Sequence, residues 1–428
     1  MASDRQAREI SAEIEAISHA LSSEQVLKAV VEGLPQEVIE GVRRSLLTER
    51  RELAQTLEAY KSAKDGNVEL LKRQAANDPG AMLIVARLAK GWPQKELARK
   101  LGLPEQQIQR YEAERYRGIS LGSFMRFSRA LDVQLSADIK IRSLAAWMPS
   151  YELSATDAQK VLKHARNNGW LKGGDTSDEN AISQLKRHMA EHVGDHSTPS
   201  LLRTGLNVED HTDDWVLLAW KAQVTRRAKA IIEQKKLRYR PINVSWLMDL
   251  VRLSSLDDGP SQAARLLEAH GIVMIVEPYV AGMKVDGAAF LVEDIPVIGL
   301  TLLRDRLDNF WFTLLHEVAH VILHYRTGLA AGFFDDVEHN HVDELEAEAD
   351  LFASNLLIPE ALWSRSPARI AKSAEPVLRL AKQLSISPAI IFGRIRKERR
   401  DYTIFSDKVG QGIIRKQLDR RDKEIMNV

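Results

Sequence analysis

The 428-residue chain contains no cysteine. Disulfide stapling, thiolate ligation of a metal and thiol nucleophiles are excluded together, so any transition metal must be held by imidazole and carboxylate. Histidine is scarce too, at 12 residues, which makes any regular histidine spacing informative. No stretch approaches the about eighteen consecutive apolar residues of a membrane span. Residues 1–30 mix Asp, Arg, Glu and Lys with apolar positions and lack a signal-peptide core, which points to the cytoplasm and to no membrane partner. Net charge is nearly absent: 60 Lys and Arg against 59 Asp and Glu leave +1. That balance does not exclude a nucleic-acid partner, because local patches and not the sum attract phosphate. What remains, 44% hydrophobic and 28% charged, is an ordinary globular composition with room for about two or three domains.

Apolar periodicity divides the chain into four parts. Residues 1–77 read as a helical region, with Ile10, Ile14, Ile17 and Leu21 at helical spacing and a second amphipathic stretch after Pro35. It is either a hairpin packed on the rest of the chain or a dimer or partner surface. Residues 78–140 form a run of short helices. Residues 141–235 read as a helical connector, interrupted at Gly173-Gly174-Asp175 and at Gly194–Pro199. Residues 236–428 carry short β-type runs at 272–276, 287–292 and 296–300, and return to helix from Asp308. The expected fold class is mainly α, with a small β-sheet in the C-terminal domain.

His316-Glu317-Val318-Ala319-His320 is an HExxH pentad. On a helix, residues i and i+4 share a face, so both imidazoles reach one metal while Glu317 stands beside it as a base for water. A third histidine ligand of the extended HExxHxxGxxH type is ruled out, because positions 323 and 326 are Leu and Arg. The inverted pentad His188-Met189-Ala190-Glu191-His192 reads as a solvated helix face. Downstream, Asp343–Ala353 supplies a second helix on which Glu346 and Asp350 lie four apart at the edge of the Ala349, Ala353 and Leu357 stripe. Glu346 is the best-placed third ligand. Asp350, one turn on, is placed to accept the other ring N–H of a liganding histidine. Glu344 and Glu348 read as solvent-facing. His324, one turn beyond His320 on the same face, reads as a surface residue or one packed behind the ligands, with lining of the cleft as the alternative, and His339 and His341 as solvated.

These blocks, together with Asp308–Leu315 ahead of the pentad and Leu356-Leu357-Ile358-Pro359 behind it, resemble the ImmA/IrrE family of zinc metallopeptidases over about 262–400. The resemblance implies an α+β zincin-like domain and one Zn2+ per chain. It puts the zinc ligands at His316, His320 and Glu346 and the catalytic glutamate at Glu317. Asp350 stands where many members have Asn. Residues 82–132 resemble the XRE or lambda-repressor helix-turn-helix, a bundle of four to five helices, through Gln94, Glu96-Leu97-Ala98, Leu101-Gly102 and Ile108–Glu112. The second helix of that motif reads base edges, which here assigns Glu105, Gln106, Gln107 and Arg110, with Gln94 on a backbone phosphate. The partners implied are double-stranded DNA, as an operator at the chain's own promoter bound by a homodimer, and a protein substrate or a repressor or toxin partner. Two functions compete: a DNA-binding regulator with a zinc endopeptidase domain, or a repressor or antitoxin whose metal domain binds a partner with little turnover. Pro376–Arg394 reads as two helices closing the C-terminal domain, followed by a basic tail.

Overall fold

A computed structural model describes residues 4–23, 31–65, 79–113, 119–133, 155–170, 178–192, 201–204, 214–239, 244–283, 285–325 and 339–418, with Asn67, Glu69, Lys72, Arg115, Tyr116 and Leu329 as isolated positions. The breaks expected at 173–175 and 194–199 and the end of the basic tail lie outside them. So do the side chains of His339 and His341.

The described residues form two compact units, 1–27 with 46–141, and 28–45 with 142–428. In the first, helix α1 (Asp4–Ser22) and the later turns of α2 (Gln36–Lys64) accompany a bundle of α3 (Pro79–Ala89), α4 (Gln94–Leu101), α5 (Glu105–Ala113) and α6 (Leu121–Leu131). Helix α4 ends on Gly102 in the left-handed region (φ 63°), where its N–H caps the last turn. The Ser120 hydroxyl accepts from the Ser123 N–H and starts α6. Ala59, Tyr60 and Ala63 of α2 share one core with Leu83, Leu97, Ile108 and Phe127, so part of the N-terminal helical region packs into this bundle's interior.

In the second unit, α7 (Ala155–Asn167), α8 (Asp178–His192) and α9 (Asp214–Lys235) pack in one core with the sheet. The stretch read as a connector is therefore one wall of that core. Strand β1 (Leu201–Thr204) lies between α8 and α9; after α10 (Leu247–Arg252) and α11 (Gly259–Ala269) come β2 (Val273–Val276), β3 (Val285–Val292) and β4 (Ile295–Leu300), and the four form one sheet in the order β1-β3-β4-β2. Strand β2 runs parallel to β4, and β3 antiparallel to both β1 and β4. Strand β1 has no counterpart in the sequence reading; four residues carry too little alternation, and pairing with β3 makes them a strand.

Both faces of β3 and β4 are covered, so these strands are buried along their whole length. Trp220 of α9 lies against Gly299, where a Cβ would come within 2.6 Å of its ring. On the opposite face Gly287 meets helix α12 (Leu307–Leu323). Helix α13 (His339–Leu357) packs beside α12. The short α14 (Glu360–Trp363), then α15 (Glu375–Leu384) and α16 (Pro388–Arg399), close the domain. Pro376 in the first turn of α15, and Ser387 capping α16 ahead of Pro388, are the start signals expected from the sequence.

Candidate metal centre and nucleic-acid interface

Helix α12 is apolar on every side and buried against both sheet and α13, so its polar residues are held without water. His316, Glu317 and His320 are at most 1% exposed. The His316 Nε2 lies 3.0 Å from the His320 Nε2 and 3.1 Å from the Glu346 carboxylate, and the His320 Nε2 lies 3.3 Å from that carboxylate. Behind the rings, the His316 Nδ1 sits 2.9 Å from Asp350 Oδ1, and Lys397 of α16 is 3.7 Å from the other Asp350 oxygen. The His320 Nδ1 faces the His324 Nδ1 at 3.0 Å, and the His324 Nε2 lies 3.1 Å from Glu348.

One set of tautomers satisfies the contacts behind both rings. If the His316 Nδ1–H donates to Asp350 and the His320 Nδ1–H donates to His324, both Nε2 atoms turn lone pairs toward the Glu346 carboxylate. Three electron-rich atoms then converge, which is favourable only around a cation. Bond lengths of about 2.0–2.1 Å at a tetrahedral zinc give ligand–ligand edges of about 3.3 Å, close to the separations here. His316, His320 and Glu346 thus form a group that could hold a metal ion, the one such group among the described residues. Burial pushes the His320 imidazole down to about 4, so it stays neutral and available as a ligand. In the metal-free site, where the Nε2–H tautomers donate instead, burial works upward on Glu346, but hydrogen bonds from His316 and His320 outweigh it and hold the carboxyl down at about 2.

Glu317 follows His316 on α12, and its carboxylate lies over the β3 backbone: a Cβ on Gly287 would sit 2.8 Å from Oε1. Gly287 drew notice in the sequence only as part of a strand. Two other readings change. Glu348 is no solvated acid, since it contacts both His324 and Arg44. Although about 200° separates Glu348 from Glu346 on the helix, His324 leaves the helical path as the cap of α12 and reaches that flank. The inverted pentad is no solvated face either. His188 is buried with Leu185 and Met189, and its imidazole is pushed down to about 4 by burial and by the neighbouring His192 and Arg226.

In the bundle, Glu105, Gln106 and Arg110 are exposed on α5, and Gln109 shares that face with its amide 3.4 Å from Glu105. Gln107 is half-buried and donates to the Tyr111 hydroxyl (2.6 Å). Gln94 is half-buried as well, its amide donating to Glu112 (2.7 Å). Glu112 is the centre of a buried ion pair that the sequence reading missed: Arg87 of α3 grips both its oxygens, at 2.6 and 2.8 Å. Arg87 also donates to the Trp92 carbonyl, so one side chain joins α3, the α3–α4 turn and α5.

A small sheet carrying a buried HExxH helix, with a carboxylate brought in from the next helix, is the arrangement of a zincin-like peptidase domain; the bundle is that of a helix-turn-helix DNA-binding module. Residues 267–395 match the model of a peptidase family, the IrrE N-terminal-like domain, and residues 83–137 match a helix-turn-helix model. The chain is thus a fusion of an XRE-type helix-turn-helix with an IrrE-like domain. No curated protein and no solved structure matches it. No helix among the described residues is long and apolar enough to cross a membrane.

Proposed function

We propose that the chain is a cytoplasmic DNA-binding regulator whose IrrE-like domain is a zinc-dependent endopeptidase acting on a repressor or other partner protein. The observation that supports this best is the convergence of the His316 and His320 Nε2 atoms on the Glu346 carboxylate, with Glu317 buried next along the same helix. His316, His320 and Glu346 would hold one zinc, which when bound polarises a scissile carbonyl and acidifies water. Glu317 takes the proton of the attacking water on its carboxylate and returns it to the leaving amide nitrogen, with no covalent intermediate. Asp350 accepts the His316 Nδ1–H and holds that ring in its ligating tautomer. The helix-turn-helix match supports binding of double-stranded DNA. On α5, Gln106 and Arg110 suit base edges, Gln94 suits a phosphate, and two copies of the chain would span a pseudo-palindromic operator.

The test is incubation of the chain with proteins encoded beside its own gene, comparing wild type with Glu317→Gln at equal zinc content. Loss of the base should slow cleavage by about two to four orders of magnitude. Equal cleavage would remove Glu317 from the chemistry. Absence of cleavage by a zinc-loaded, DNA-binding wild type would leave a repressor whose metal domain binds a partner.

A further inference from the structure

We propose that His324, Glu348 and Arg44 form a positioning relay behind His320, which makes the first turns of α2 a working part of the metal centre. The inference rests on the metal-site reading and extends it to Arg44, outside the matched segment. All four side chains belong to one compact unit.

The chain of contacts has a single consistent direction. If the His320 Nε2 is to face a metal, its Nδ1 carries the hydrogen and donates to the His324 Nδ1, 3.0 Å away. That leaves His324 protonated on Nε2, from which it donates to Glu348 Oε2 at 3.1 Å. Glu348 turns its other oxygen to the Arg44 guanidinium, which donates at 2.8 Å. Reversing one imidazole would turn two N–H groups or two lone pairs against each other. His324 is 2% exposed, so water cannot replace a missing partner without repacking. The neighbouring ligand has a parallel arrangement, since Asp350 takes the His316 Nδ1 and faces Lys397. Each ligating ring therefore ends on a carboxylate beside a cation, and for His320 that cation comes from α2.

Helix α2 is also anchored where it meets α12. The Ser45 hydroxyl donates to the Ile322 carbonyl (2.9 Å), one of the last in α12 without a helical donor. A Cβ on Gly41 would lie 3.4 Å from Leu323, so the two helices are already in contact. Arg44 is thus delivered next to Glu348 by a helix seated on the end of the ligand-bearing one. A glutamate that only solubilised α13 would need neither a buried histidine on one oxygen nor an arginine from a distant segment on the other.

The experiment uses the full-length chain, stripped of metal and titrated with zinc against a chromophoric chelator. Glu348→Ala should weaken zinc binding by about 10- to 100-fold, as expected when the partner that orients a ligating histidine is lost. Glu348→Gln, whose carbonyl still accepts from His324, should recover affinity to within about threefold of wild type. Arg44→Ala, acting one step further out at an exposed position, should cost about two- to fivefold. Ring-nitrogen spectra of the zinc-loaded wild type should find the hydrogen of His320 on Nδ1 and that of His324 on Nε2. Wild-type affinity in Glu348→Ala, or Glu348→Gln as weak as Glu348→Ala, would overturn the relay while leaving the metal centre standing. A wild type that binds no zinc would overturn the metal centre itself.

Discussion

The Glu317 carboxylate lies over the α-carbon of Gly287, with no room between them for a methyl group. A Cβ at 287 would come within 2.8 Å of both Glu317 Oε1 and Thr313 Cγ2. The glycine of the strand thus provides the space in which the acid on the helix rests. Gly287→Ala should fold, at a cost of about 1–3 kcal/mol for overpacking. It should bind zinc nearly as wild type, because His316 and His320 are untouched, and lose at least about tenfold in cleavage through displacement of Glu317. Melting, zinc titration and rate measured on one preparation check this; a rate equal to wild type would refute the role assigned to position 287.

Metal content should be one zinc per chain. His316→Ala and Glu346→Ala each remove a ligand from a three-residue set and should leave the chain without stoichiometric zinc after dialysis. Elemental analysis is the measurement. Full retention of zinc by both variants would mean that the metal lies elsewhere.

The neutral state of His320 gives the metal-free chain an acid-sensitive stability. Its imidazole is depressed from 6.5 to about 4, chiefly by burial. Between those values the unfolded chain binds a proton that the folded chain does not, so stability falls as pH falls from 6.5 toward 4. At about 1.4 kcal/mol per unit, the loss is about 3 kcal/mol. His188 titrates in the same window, so the discriminating comparison is with His320→Gln. Denaturation of the two proteins between pH 7 and about 4 should give a shallower slope for the variant, and parallel slopes would contradict the assignment.

The Arg87–Glu112 pair should govern the stability of the DNA-binding bundle. Glu112→Ala leaves a buried guanidinium uncompensated and should cost about 3–5 kcal/mol, whereas replacing both residues with apolar ones of similar volume should be close to neutral. A double-mutant cycle by chemical denaturation measures the coupling. A double variant whose loss equals the sum of the two single losses would show that the pair is not coupled.

On DNA, the exposed Gln106 and Arg110 should each contribute about 1–3 kcal/mol at a specific site, and their alanine variants should relax discrimination there. Gln107→Ala should do less, since its amide is engaged by Tyr111. Gln94→Ala should weaken binding almost evenly across sequences but by less than loss of a free phosphate contact, since its amide is engaged by Glu112, and all binding should fall steeply with salt. A salt series of mobility shifts on the chain's own promoter is the check, and sequence-independent binding by wild type would remove the base-reading role of α5.

What could be read directly from the residues is what short-range geometry decides. Histidines four apart on a buried helix face one way wherever that helix goes, so His316, Glu317 and His320 were legible as a unit. Proline at a first turn and glycine after a last one mark helix ends through backbone constraints that need no distant partner, and the helices and three of the four strands follow from such signals. The tertiary structure decided everything that depends on which surfaces meet. Strand β1 exists because β3 offers it an edge. Part of α2 lies inside the bundle's core, and α9 forms a wall of the sheet's core, because apolar faces pair by shape across long sequence separations. Glu348 and His324 acquire partners, and Gly287 its importance, only when α13, α2 and β3 are brought against α12. Helical periodicity gives the direction of a side chain from its own axis and carries no information about what stands opposite.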